Sequence, residues 1–380
     1  MAPVDLLYML VPFVIALFIG SPICAALSLG TLSFIFVTGL LPSDMITLQM
    51  FNAAASFPLM AVPFFIFAGD LMNETGISAR LINLCKVLFQ QFRGGLAYAI
   101  ITTGTLFAGL TGSACAEAAA LTKIMTPTMK KEGYAPEFTA SLCASVGVLG
   151  PVIPPSIVFI VYGATVGTSV GALFMGGIIP GLLMAFGLMC VTRFLAGRHN
   201  FPQSPQSATR SEILAGFKDA SLSLVMPILI IVGIRGGVFT PTEGGAVAAT
   251  YAIIIGLFVY KTVTLKSIAI AGINSAITSA VIMLIVSSTV PFGWIITIGR
   301  VPALISEYVL SLTDSVFLIL LGINILLIFM GMFMETLAII LLLAPMLVPI
   351  AAQIGLDPVH FGIIVCVNLC IGMITPPIGI

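Results

Sequence analysis

The sequence predicts an all-α polytopic membrane protein built as an inverted-topology repeat. Hydrophobic residues make up 59% of the 380 residues and charged residues only 7%, a composition typical of chains embedded in a bilayer. Breaker and acidic residues also recur in the same order in both halves, about 220 residues apart. The recurring pairs are Pro22 and Pro241, Pro63 and Pro291, Glu117 and Glu335, and Pro154-Pro155 and Pro376-Pro377. An odd number of predicted spans separates equivalent points, so the second copy is inverted relative to the first.

Apolar runs of about 20 residues predict full membrane spans. In the first repeat (1–195) they lie near 4–20, 22–40, 52–71, 138–165 and 172–192. In the second repeat (220–380) they lie near 220–238, 242–260, 270–298 and from 358 onward. The segment 77–92 places its apolar residues on one face, which predicts an amphipathic helix at the membrane interface, with a counterpart at 301–312.

Two apolar regions are interrupted by small residues and predict re-entrant helical hairpins. The first hairpin (95–130) has limbs at 95–110 and 114–129, and the second (315–352) has limbs at 315–329 and 335–350. Limbs of about 16 residues are short for a span, and small residues at the joint let helices meet closely. Two ordinary spans per region, joined by a turn outside the membrane, are the alternative.

Each hairpin is followed by a helix that a proline pair should break at mid-membrane. The first broken helix (138–165) contains GVLGPVIPPS, and the second (358–380) contains ITPPIG. Proline lacks an N–H and disfavours helix at the preceding residue, so nearby carbonyls lose their partners. Freed carbonyls at this depth suit a cation and half-helix N-termini suit an anion. Proline kinks without any ligand are the alternative.

Charge distribution predicts the topology. Twelve of the 14 Lys and Arg residues fall on one face when the N-terminus is placed outside, so the positive-inside rule predicts a periplasmic N-terminus and a cytoplasmic linker at 196–219. The chain ends at Ile380, before counterparts of the last half-helix and final span of the first copy, so we expect a C-terminally incomplete second repeat.

The residue inventory argues against enzymatic chemistry. Ser113 is a conceivable nucleophile, but neither His199 nor His360 is placed to serve as its base. Phosphate-binding glycine loops are absent, and the balanced charge gives no indication of nucleic acid binding. Glu117, Glu335 and Glu243 lie near helix starts, where a helix-dipole or polar-network role is favoured. Basic residues are absent from the predicted midplane segments, which favours co-transport of an anion with Na⁺.

Four runs together resemble the large membrane subunit of tripartite ATP-independent periplasmic (TRAP) transporters, in order and spacing, over essentially the whole chain. They are GSACAEAAALTKIMTPTMKKEGY (112–134), GVLGPVIPPS, GVFTPTEGGAVAATYA (237–252) and TPPIG. The resemblance implies a Na⁺-driven, elevator-type importer of a small organic acid, such as sialic acid or a dicarboxylate, in a bacterial inner membrane. It also implies a small four-helix membrane subunit, a soluble periplasmic binding protein, at least two coupling Na⁺ ions and no organic cofactor.

The same resemblance implies site residues at the hairpin tips and the broken helices. Sodium site 1 would comprise Ser113, Gly150, Ile153 and Pro155, and sodium site 2 would comprise Gly331, Gly372, Thr375 and Ile378. Most would act through backbone carbonyls. The residues expected to face the substrate are Thr111, Gly112, Pro154 and Pro376.

Three other classes of protein compete with this interpretation. A stand-alone Na⁺/dicarboxylate symporter would carry Ser-Asn-Thr motifs at its tips, whereas this chain has TGSACAE and MGMFMET. A channel would carry a ring-forming filter loop. An intramembrane enzyme would need a base beside Ser113.

Overall fold

The computed structural model describes residues 3–199, 201–203 and 208–376, with backbone only for residues 3, 4 and 109–111. Within these ranges the regular structure is helical. Ten helices form the first half: α1 (Leu7–Phe18), α2 (Ile23–Thr38), α3 (Asp44–Ala54), α4 (Ala61–Glu74), α5 (Ile77–Phe89), α6 (Gly95–Thr111), α7 (Ala114–Lys131), α8 (Pro136–Gly147), α9 (Ile157–Val166) and α10 (Val170–Arg198). Seven form the second half: α11 (Arg210–Arg235), α12 (Pro241–Ile254), α13 (Leu265–Ile298), α14 (Val301–Leu312), α15 (Val316–Gly331), α16 (Thr336–Gln353) and α17 (Pro358–Met373).

The two hairpins have corresponding helices. Helices α7 and α16 are both 18 residues long, and both carry proline at the fourteenth residue, Pro127 and Pro349. This register pairs Glu335 with Ser113, because each is the residue before its helix. Counted from the helix starts, Ile339 corresponds to Glu117. Counted from proline, Glu117 still corresponds to Glu335, because Pro127 and Pro345 each follow ten residues on.

Helix lengths differ from the predicted spans in several places. Five helices in the described part of the chain are long and apolar enough to cross a membrane: α10, α11, α12 with its π-helical extension to Val259, α13 and α16. A sixth span is possible if α3 and α4, bent by 54°, are counted together. The limb α16 is thus longer than its sequence pattern predicts. By contrast, α1 has only 12 residues, preceded by a 3₁₀ turn.

Local caps explain several helix starts. The side chains of Thr209 and Thr240 each form a reciprocal capping box with the glutamate three residues on, Glu212 and Glu243. Such boxes satisfy amide groups that a helix start leaves unpaired. The helix-start role favoured for Glu243 is confirmed. Because α10 continues to Arg198 and α11 begins at Arg210, helix extends into both ends of the linker predicted at 196–219.

The helices pack into two groups. In the scaffold group, α1–α4 and α11–α13, α4 packs on α12, while α2 and α3 pack on α13. In the hairpin group, α6–α10 and α15–α17, α7 packs on α8, α15 on α17, and α9 on α16. The amphipathic helices lie between these groups, since α5 contacts α6 and α11, and α14 contacts α13 and α16. An ion pair of Arg80 with Asp219 ties α5 to α11.

Candidate functional site

A cavity of about 480 Å³ lies where the two groups meet. Both hairpin tips reach it: residues 112–116 from the first and 335–337 from the second. Pro151 from the first broken helix and Met373 from the end of α17 also line it. The scaffold group closes the other wall with α4 and α13. Both halves of the chain therefore contribute to one cavity.

The first tip packs directly on the first broken helix. Gly112 ends α6 with a positive φ of 58°, a conformation that glycine adopts without strain. A Cβ at this position would lie 3.2 Å from the carbonyl oxygen of Pro155 and 3.1 Å from the amide nitrogen of Ile157. Gly112 and Ser113 also line the cavity. A side chain at position 112 would thus separate the tip from the break.

The break itself spans residues 148–156, between α8 and α9. The Ser156 hydroxyl donates to the carbonyl oxygen of Pro151 and accepts from the amide of Phe159, which restarts the helix as α9. Oxygens gather around Gly150. A Cβ there would lie 2.5 Å from Oε2 of Glu117, 3.2 Å from the carbonyl of Gly147 and 3.4 Å from that of Ser113.

Glu117 is the most unusual side chain of this region. It is fully buried, and both carboxylate oxygens lack a hydrogen-bond partner among the described residues. Burying a carboxylate without a partner is costly. The carboxylate lies beside the break that carries Gly150. The structure therefore adds Glu117 to the candidate site, whereas the sequence favoured a helix-dipole or polar-network role for it.

The second tip packs on α17 through a pair of glycines. A Cβ on Gly331 would lie 3.0 Å from Cα of Gly372, and one on Gly372 would lie 2.8 Å from Cα of Gly331. The Thr375 hydroxyl donates to the carbonyl of Ile371 at 2.8 Å. Three residues predicted for sodium site 2 are therefore neighbours, while Ile378 lies outside the described residues.

The residues expected to face the substrate are dispersed. Gly112 lines the cavity. Pro154 lies instead in a small apolar cleft with Phe174 and Ile230, because the chain turns it towards α10 and α11. Pro376 is exposed beyond the end of α17, and the side chain of Thr111 lies outside the described set. Ile153 of sodium site 1 points its side chain at Gly181 of α10.

The structure adds three cavity residues that the predicted site did not include. Asp70 on α4 lines the cavity and accepts a hydrogen bond from Ser275 of α13 at 2.7 Å. Glu335 lines the cavity at the start of α16. Cys115 is exposed there. Their helix positions were predictable, but the faces they present depend on packing between distant segments.

The cavity has a distinctive electrostatic character. Its described lining contains Asp70 and Glu335 but none of the chain's Lys, Arg or His residues. The first residues of α7, α9 and α16 (Ala114, Ile157 and Thr336) all line it. Helix N-termini carry partial positive charge and attract anions. An anion in this space would therefore meet amide dipoles and any cation bound with it.

A membrane chain with paired hairpins and a broken helix around one internal cavity defines a multi-pass membrane transport protein. The family model of the tripartite ATP-independent periplasmic transporter, DctM component, matches residues 10–380. The chain belongs to this family, as its sequence motifs predict.

Three relatives illustrate the range of the family. The chain is 40% identical over 363 residues to the sialic acid TRAP transporter large permease protein SiaM of Vibrio cholerae, covering 96% of this chain and 85% of that protein. It is 36% identical over 375 residues to the C4-dicarboxylate TRAP transporter large permease protein DctM of Rhodobacter capsulatus, covering 95% and 85%. It is 41% identical over 368 residues to the isethionate TRAP transporter permease protein DctMQ of Oleidesulfovibrio alaskensis, covering 97% of this chain but only 58% of that longer protein.

Proposed function

We propose that this chain is the permease of a Na⁺-coupled importer of a small organic acid, located in a bacterial inner membrane with its N-terminus in the periplasm. The observation that carries the proposal is the cavity that both hairpin tips enclose. The relatives' names cover sialic acid, C4-dicarboxylates and isethionate, all organic acids, so the substrate class extends to this chain as part of the proposal. A periplasmic binding protein would deliver the acid, and a small four-helix membrane subunit would complete the transporter.

Two features support cation coupling. The described lining of the cavity has no basic side chain to neutralise an organic acid. Among the described residues no group of three or more His, Cys, Asp or Glu could hold a metal ion, so a cation would depend largely on carbonyl and hydroxyl oxygens, the ligands that suit hard cations. The neighbouring sets Ser113–Gly150–Pro155 and Gly331–Gly372–Thr375 supply such oxygens. We assign one Na⁺ to each set.

We propose that the two halves of the chain are inverted repeats and that transport occurs by an elevator movement. The hairpin group would slide past the scaffold group with the substrate and Na⁺ between its tips. Each re-entrant tip would close the cavity on its own side of the membrane. We assign the hinges of this movement to α5 and α14, because both helices contact both groups.

Uptake in proteoliposomes tests the proposal. The chain would be reconstituted with its membrane subunit, and labelled sialic acid, succinate and isethionate would be supplied with the cognate binding protein. We expect uptake of one acid that requires both the binding protein and an inward Na⁺ gradient, with choline as the control cation. Equal uptake with and without the Na⁺ gradient would contradict Na⁺ coupling. Equal uptake with and without the binding protein would favour the stand-alone symporter.

A further inference from the structure

The long helix α10 presses on the break of the first repeat through two glycines. Gly177 and Gly181 lie one turn apart and so share a face of α10. A Cβ on Gly177 would overlap the ring of Phe159 on α9 and lie 2.7 Å from the carbonyl oxygen of Val152. A Cβ on Gly181 would overlap Cγ1 of Ile153. Glycine inside a helix costs about 0.5–1 kcal/mol relative to alanine. These positions therefore require a reason in packing, which Phe159 and the break supply together.

The same break is met from another helix by the buried carboxylate of Glu117. Its Oε2 atom lies 2.5 Å from the Cβ position of Gly150, and neither oxygen has a described hydrogen-bond partner. A carboxyl group at complete burial is stable only when it is protonated or when a positive charge lies beside it. This observation is independent of α10, and a cation bound at the segment that α10 supports is one way to meet that requirement.

We propose that Gly177 and Gly181 are positioning residues for sodium site 1. Their missing side chains let α10 reach the backbone of residues 152 and 153, and this contact holds the carbonyls of the break in the direction that a cation needs. Neither glycine touches the ion. The inference rests on the Na⁺ coupling proposed above and adds a second layer of residues to it.

The variant Gly181→Ala tests the inference, and Gly187→Ala is its matched control. Both changes add one methyl group to α10, but a Cβ at Gly187 meets nothing within 4 Å. The transporter would be purified with its membrane subunit, and its melting temperature followed as NaCl replaces choline chloride at constant ionic strength. A ligand that binds the folded state raises this temperature. We expect Gly181→Ala to raise the Na⁺ half-saturation by about tenfold and Gly187→Ala to leave it unchanged.

A rescue variant separates positioning from simple overpacking. The double variant Gly181→Ala/Ile153→Ala removes the atom that the new methyl would strike and keeps the carbonyl of residue 153. It should recover most of the Na⁺ affinity, both in the melting assay and in Na⁺-dependent uptake. If Gly181→Ala alone does not fold, Ile153→Ala provides the measurement, because it keeps the carbonyl of residue 153 and removes the side chain that contacts Gly181. The positioning role predicts a higher Na⁺ half-saturation for this variant, and an unchanged half-saturation would overturn it.

The outcomes distinguish this inference from the proposed function. A wild-type protein without any Na⁺ response would overturn both. A wild-type response together with an unshifted Gly181→Ala would overturn the positioning role alone. Equal losses of stability in Na⁺ and choline, without a shift in half-saturation, would show that the two glycines serve packing only.

Discussion

Thr375 is the residue on which the second cation set depends for an oxygen outside the backbone. Its hydroxyl hydrogen is engaged with the carbonyl of Ile371, which leaves the oxygen lone pairs available for an ion. The neighbouring Gly331 and Gly372 contribute only backbone atoms. Removing the Thr375 hydroxyl should therefore change the number of ligands without changing the packing of α15 on α17.

We expect Thr375→Val to weaken Na⁺ binding by about 1–3 kcal/mol, because valine keeps the shape and removes one polar contact. The measurement is the Na⁺ dependence of uptake, which should shift to higher concentration. Thr297→Val is the control, since the Thr297 hydroxyl also bonds a carbonyl four residues earlier but is exposed near the end of α13. An unchanged half-saturation for Thr375→Val would remove the hydroxyl from the site.

Cys115 gives a natural chemical probe of the cavity. Its thiol is exposed and lies on the first tip beside the cavity. We expect N-ethylmaleimide to inhibit uptake, and the transported acid to slow this inhibition by occupying the space. Cys115→Ala should be resistant, whereas Cys190→Ala, which removes an exposed thiol from α10, should remain sensitive. Inhibition that persists in Cys115→Ala would show that another site is responsible.

At the scale of elements, helix contacts in the hairpin group depend on close backbone approach. Helices α15 and α17 cross at Gly331 and Gly372, with Cα atoms near enough to exclude any side chain. One to two turns away, Asn368 donates to the side chain of Asn324 at 2.6 Å. Small residues and interhelical amide bonds are the usual means of joining helices in lipid. The second tip is therefore held in register by contacts of its first limb.

We expect Gly331→Ala to destabilise the protein by about 1–3 kcal/mol through overpacking. Gly322→Ala on the same helix is its control, because a Cβ there meets nothing within 4 Å. Thermal melting of the purified protein measures both. Equal melting temperatures for the two variants would contradict a close crossing of α15 and α17.

At the scale of the whole molecule, two features organise the chain: the orientation in the membrane and the division into two packed groups. Helix α11 is suited to a test of orientation, because it has 26 residues and both of its ends are exposed to labelling. The interface between the groups is suited to a test of movement, because α13 contacts α16 and α4 contacts α9 there.

Cysteine labelling of intact cells checks the topology in an otherwise cysteine-free protein. We expect Val238→Cys, just beyond α11, to react with a membrane-impermeant maleimide. Ser211→Cys, in the first turn of α11, should react only after the membrane is permeabilised, because the positive-inside rule places this end in the cytoplasm. The reverse pattern would invert the proposed orientation and the sides on which the hairpins open.

Cross-linking checks the elevator movement. Cysteine pairs at contacting positions of α13 and α16, which belong to different groups, should abolish uptake when oxidised, and reduction should restore it. A disulfide inside the hairpin group, between Asn324→Cys and Asn368→Cys, should leave uptake largely intact because these positions move together. Transport that survives several complete cross-links between the groups would favour local gating over a moving body.

The membrane class and most helix limits could be predicted from sequence. An apolar composition indicates that the chain is surrounded by lipid. Proline and glycine affect the backbone of their immediate neighbours, so the break after Gly147 and the turn at Gly112 follow from local chemistry. The amphipathic segment at 301–312 became α14 with the same limits. The family motifs brought Ser113, Gly150 and Pro155 together in prediction, and the structure places them as neighbours.

Only the tertiary structure decided which side chains share a space. Glu117 is buried beside Gly150 while Glu335 faces the cavity, although both follow similar motifs. Asp70 enters the cavity and Pro154 turns away from it. The physical reason is that local sequence determines backbone conformation, whereas the environment of a side chain depends on contacts between segments far apart in the chain. Glu117 and Glu335, each ten residues before a proline, therefore have different surroundings.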